Sequence, residues 1–111
     1  MEAGYPPELW CVERPDEVIR LHAAFLSAGA DLILTNSFGA NAPRLKLHKS
    51  ENRVYEINKA AAGLAREALD QHAKVTGRRA LVAGSMGPTG ELFVPMGELI
   101  YAHAAEFFAE Q

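Results

Sequence analysis

The run Gly29-Ala30-Asp31-Leu32-Ile33-Leu34-Thr35-Asn36-Ser37-Phe38-Gly39-Ala40-Asn41 restricts the fold of this chain more than any other stretch. Leu32-Ile33-Leu34 is a short continuous apolar segment, the pattern of a strand covered on both faces, as parallel strands usually are. Thr35, Asn36 and Ser37 then put hydroxyl and amide groups at its carboxyl end. In parallel α/β folds that end is where ligands bind, because the loops after the strands converge there. The plan recurs once: Ala80-Leu81-Val82-Ala83 leads into Gly84-Ser85-Met86-Gly87-Pro88-Thr89-Gly90.

The intervening residues read as helices serving these strands. Pro6-Pro7 predicts an extended lead-in anchored by Trp10. Pro15 opens a helix, with Asp16 and Glu17 at the positive end of its dipole. Val18, Leu21, Phe25 and Ala28 recur at helical spacing as its expected buried stripe, and Gly29 ends it. Asn41 predicts the cap of a short helix through Leu45 and Leu47. Ser50 or Asn52 starts the longest helix, with Val54, Ile57, Ala61, Leu64 and Ala68 on one face and Thr76-Gly77 as the break. The second strand is expected over Ala80–Ser85. A loop from Met86 to Gly97 then precedes a third main helix carrying Ile100, Ala104 and Phe107.

Alternating helix and strand predicts an α/β fold with a parallel sheet built from βαβ units. Two strands cannot close a barrel, and they leave both sheet edges open. With 111 residues the chain is at most one domain. It is therefore expected to be a piece of a (β/α)8 barrel, a quarter to a third of the roughly 250 residues typical of one.

Composition narrows the function classes. Hydrophobic residues make up 49% and charged residues 23%, and the formal net charge is −3, so no basic footprint for nucleic acid or anionic membrane exists. No apolar run approaches the roughly 20 residues of a membrane span. Met1 to Pro7 lacks the basic and apolar regions of a signal peptide, and one cysteine leaves no internal disulfide framework. A cytoplasmic home is the expectation.

The glycines of Gly84–Gly90 can let backbone N–H groups approach a ligand's oxygens, or simply make a turn. The segment is no P-loop, for it lacks the Gly-Lys-Ser/Thr ending, and no nucleophile elbow, for Ala83 stands where that motif needs glycine. Asp31, at the amino end of its strand, reads as structural. His22, His48, His72 and His103 show no zinc-site spacing; His22 and His72 fall on helices as surface or boundary residues. Cys11 reads as an inert small hydrophobe. Nothing in the spacing of Glu8, Glu13, Glu91 or Glu98 singles out a catalytic pair.

Several motifs in order carry a resemblance: Pro7-Glu8-Leu9-Trp10, Glu13-Arg14-Pro15-Asp16, Gly29 to Gly39, Arg44-Leu45-Lys46-Leu47-His48 and Val82 to Glu91. Together they resemble the homocysteine S-methyltransferase family, which includes betaine–homocysteine methyltransferases and the homocysteine-binding domain of cobalamin-dependent methionine synthase. Pro95-Met96-Gly97 makes the chain most similar to the bacterial betaine-type branch. The resemblance implies a (β/α)8 barrel of which residues 1–111 are part, with the first strand and the carboxyl-terminal half absent. It implies homocysteine and a methyl donor as small-molecule substrates. It also implies zinc in the full-length enzyme, holding the homocysteine thiolate that attacks the donor's methyl group. The family's zinc-binding cysteines would lie beyond Gln111, and Cys11 matches none of them, so no metal ligand carries over. Thr35, Asn36, Ser85 and Gly87 fall on segments that line the family's active-site mouth. Two other readings stand beside it: a pterin- or folate-binding methyl-transfer barrel, and a truncated accessory protein without catalysis. The chain alone is expected to be inactive and either to self-associate or to fold only in part.

Overall fold

The structure, a computed structural model, describes residues 4–111. The reading of Met1–Ala3 as carrying no leader lies outside the described residues. Pro6 is extended as the lead-in predicts, but from Pro7 the chain turns: Pro7–Leu9 forms a 3-10 turn that runs directly into α1 (Trp10–Glu13). Proline's fixed φ suits the first turn of a helix as well as it suits extended chain. Trp10 is half-buried, and the Arg14 guanidinium lies 5.2 Å from its ring centroid.

After α1 come α2 (Pro15–Ser27), β1 (Leu32–Leu34), α3 (Ala42–Lys46), α4 (Val54–Thr76), β2 (Leu81–Ala83) and α5 (Tyr101–Glu110). The second strand is thus shorter than its expected Ala80–Ser85. A 3-10 turn over Glu51–Arg53, with Ser50 in the capping position, precedes α4. Gly29 and Gly77 end α2 and α4 with φ of 104° and 73°, left-handed backbone that glycine adopts without a Cβ clash. Asn41 caps α3 as expected: its side chain accepts the Arg44 N–H.

β1 and β2 pair in parallel, with Leu32 opposite Leu81, Ile33 opposite Val82 and Leu34 opposite Ala83. The fold is therefore mixed α/β around a two-stranded parallel sheet, and α4 lies in the crossover. Ile33 and Val82 face the helices, packing with Leu26 of α2 and with Ala65, Ala68 and Leu69 of α4. The alanines at 61, 65 and 68 are almost fully buried and let α2 lie close against α4. A second cluster joins Leu9, Ala40, Leu45, Val54 and Ile57.

Two sequence expectations fail here for one reason. β1 is covered on one face only, leaving Leu32 at 48% and Leu34 at 56% exposure, with Leu81 beside them at 67%. On α2 the buried stripe is Val18, His22 and Leu26; Leu21 and Phe25 of the expected stripe are exposed, as is Ala28. Both departures leave apolar side chains on surfaces that no described element covers. The backbone agrees: Thr35 N–H donates to Ala83 O and Leu81 N–H to Asp31 O. The N–H and C=O groups of Ile33 thus point to β2, and those of Leu32 and Leu34 point to the opposite edge, where no described strand pairs.

Candidate functional site

The chain places polar groups at the carboxyl end of the sheet through a closed hydrogen-bond ring. Ser85 N–H donates to Thr35 Oγ1 (2.9 Å), and Ser37 Oγ donates to Ser85 O (2.8 Å). Thr35 Oγ1 and Ser37 Oγ are 2.6 Å apart. A hydroxyl has one hydrogen, and Ser37 has given its own to Ser85 O, so Thr35 is the donor to Ser37. The ring ties the loop after β1 to the loop after β2. Thr35 and Ser37 are buried in it, which is why a hydroxyl pair can sit there without an unmet polar group.

Asn36 is held by different partners. Its Nδ2 donates to Pro7 O (2.7 Å) and to Cys11 Sγ (3.5 Å), and the Cys11 thiol donates back to Asn36 O (3.4 Å). Both carboxamide hydrogens are engaged, so Asn36 can offer a ligand only an acceptor. Cys11 is buried, and burial pushes its thiol up to about 11, which keeps it protonated at neutral pH. The expectation of an inert cysteine agrees with this.

Thr35, Asn36 and Ser85 line one cleft of about 410 Å³ along the open edge of β1, together with Leu21, Phe25 and His22. Ser85 Oγ makes no hydrogen bond among the described residues, so it is the hydroxyl of this group left to meet a ligand. Gly87 stands apart from that cleft. Its N–H donates to Phe38 O (2.8 Å), and a Cβ built on it would lie 2.6 Å from that same oxygen. Close approach of the two loops is what requires glycine at 87.

Two residues that the sequence did not single out are buried here. His22, expected at the surface or boundary, is 5% exposed, and its Nε2 has no hydrogen-bond partner among the described residues. Burial lowers its pKa, favouring the neutral ring. It falls on the helix face that packs inward, and that phasing was the missing signal. Glu8 is buried too, and its Oε1 accepts the Gly39 N–H (2.7 Å). A Cβ on Gly39 would lie 2.8 Å from that oxygen, so a small residue at 39 is the one sequence trace of the contact. At the amino end of the sheet, Asp31 pairs with Arg78 (2.8 Å), in keeping with its structural reading.

The family model described as homocysteine S-methyltransferase matches residues 3–111. The chain belongs to the homocysteine S-methyltransferase family. Methyl transfer to homocysteine is therefore the family-level activity, and in this family member the ring of Thr35, Ser37 and Ser85 lies at the carboxyl end of the sheet. The zinc that the resemblance implies does not fit the residues present. No group of three or more His, Cys, Asp or Glu among the described residues could hold a metal, and the protonated, buried Cys11 thiol is a poor ligand. No helix among them is long and apolar enough to cross a membrane.

Proposed function

We propose that this chain forms part of a (β/α)8 barrel that binds homocysteine at the carboxyl end of its strands, for methyl transfer from a small-molecule donor such as betaine. The carrying observation is the closed ring through Thr35, Ser37 and Ser85, which fixes two loops beside one cleft on a family-matched chain. In the reaction the homocysteine thiol first loses its proton to solvent, and the resulting thiolate sulfur gives an electron pair to the methyl carbon. The bond from that carbon to the donor breaks, the donor leaves with its pair, and methionine results. This chain's part is to bind and orient: Ser85 Oγ and the Asn36 acceptor meet polar groups of the amino acid, and Thr35 and Ser37 hold the loops in place. The apolar face of Leu32, Leu34 and Leu81 and the open edge of β1 suit the interior and the neighbouring strand of a barrel. In isolation those surfaces favour self-association.

Ser85→Ala tests the binding role without breaking the ring, because both ring contacts of Ser85 are made by its backbone. In calorimetric titration with L-homocysteine the affinity should fall about tenfold, the loss of one well-placed hydrogen bond, with the melting temperature almost unchanged. Equal affinities for wild type and variant would remove Ser85 from the site. A wild-type chain that binds L-homocysteine no better than L-serine would remove the site itself.

A further inference from the structure

Asn41 is fully buried, and its carboxamide is divided between two tasks. Oδ1 accepts the Arg44 N–H (3.2 Å) as the cap of α3. Nδ2 reaches across to the second loop, 3.5 Å from Gly87 O and 3.4 Å from Pro88 O. The two sides differ in how firmly they are held. On the α3 side, Ala40 is fully buried, its carbonyl accepts from Asn58 Nδ2 of α4 (2.8 Å), and Leu45 packs with Val54 and Ile57. On the far side the chain leaves for the largely exposed stretch over residues 90–98. Asn41 therefore lies at the last point where the second loop is tied to the packed body before that excursion.

We propose that Asn41 is a positioning residue for the homocysteine site: anchored on α3 and α4, its Nδ2 sets where Gly87 and Pro88 stand, and so where Ser85 meets the ligand. This rests on the reading of these loops as the homocysteine site. The cap alone accounts for Oδ1; it does not account for a buried donor directed at two carbonyls of a segment more than forty residues away in sequence. Asn41 joins the ring and the Gly87–Phe38 bond as a third tie between the loops, and its base is fixed by the cap of α3 and by the Asn58 bond to Ala40 O.

Asn41→Ser separates the two tasks. Serine is a good N-cap, carries no charge to bury, and is too short to reach Gly87 or Pro88. Amide hydrogen exchange of the full chain should show Arg44 changed by less than about twofold and Gly87 exchanging about tenfold faster, with L-homocysteine affinity lowered several-fold. Asn41→Ala should speed both amides. In the wild type, slow exchange of the Asn41 carboxamide protons themselves reports the same contact without any substitution. An unchanged Gly87 amide in Asn41→Ser, or fast carboxamide exchange in the wild type, would overturn the proposal. A wild type that ignores homocysteine while Gly87 responds as stated would instead defeat the reading of the site and leave the clamp between the loops standing.

Discussion

Replacing Ile57 with alanine should remove most of the chain's stability and lower its urea midpoint sharply. Ile57 has no exposed surface and joins α4 to Leu9, Ala40, Leu45 and Val54. It thus locks the lead-in, the loop after β1 and the short α3 onto the longest helix. Truncating a buried isoleucine to alanine costs about 2–5 kcal/mol, the lost transfer energy plus the cavity left behind. Domains of this size are stable by about 5–15 kcal/mol, and an uncovered sheet face places this one at the low end. Urea titration followed by circular dichroism gives the answer. Leu47→Ala, on a residue that is 72% exposed, should stay within about 0.5 kcal/mol of wild type. Equal midpoints for the two variants would show that this cluster is not what organises the fold.

Gly87→Ala should separate the two loops and abolish measurable homocysteine binding. The added Cβ would sit 2.6 Å from Phe38 O and 2.7 Å and 2.8 Å from two carbons of the Phe38 ring. The oxygen belongs to the backbone, so relief requires moving one loop away from the other, at a cost of about 1–3 kcal/mol for overpacking. That movement breaks the Gly87–Phe38 hydrogen bond and strains the ring through Ser85, two residues away. Gly63→Ala is the matched control: Gly63 lies within α4 with nothing within 4 Å of its Cβ position, so alanine there should stabilise by about 0.5–1 kcal/mol through helix propensity. Thermal melts paired with L-homocysteine titration distinguish the cases. Two substitutions that shift the melting temperature in the same direction would contradict the close loop contact.

Legibility in the sequence followed how locally each feature is encoded. The Leu32–Leu34 strand, the Asn41 cap and the Gly29 and Gly77 stops depend on near neighbours, and each stands where its pattern put it. The α2 stripe depends on what the helix meets. Val18, His22 and Leu26 recur at helical spacing, and so do Leu21 and Phe25, making α2 apolar on two faces. Periodicity gives the period but not which face α4 will cover, so it does not separate the Leu21–Phe25 stripe from the His22–Leu26 stripe that is buried. The strand Leu32–Leu34 carries the pattern of two-sided burial, while the described residues supply only one covering layer. The placement of Thr35, Asn36 and Ser85 at the carboxyl end of the strand pair is legible because polar residues follow each strand directly. The ring through Thr35, Ser37 and Ser85, the Glu8–Gly39 bond and the second task of Asn41 link positions roughly 30 to 50 residues apart. No local pattern encodes such pairings.

The carboxyl end of the β1–β2 pair should be the end that binds homocysteine. The most direct measurement is an amide chemical-shift map of the isotopically labelled chain titrated with L-homocysteine. Saturable shifts are expected at the amides of Thr35, Asn36, Ser37 and Phe38 and of Ser85, Met86 and Gly87, with Gly29, Ala30, Asp31, Arg78 and Arg79 at the amino end unmoved. Shifts centred on the Asp31–Arg78 end, or no saturable shift anywhere, would contradict it.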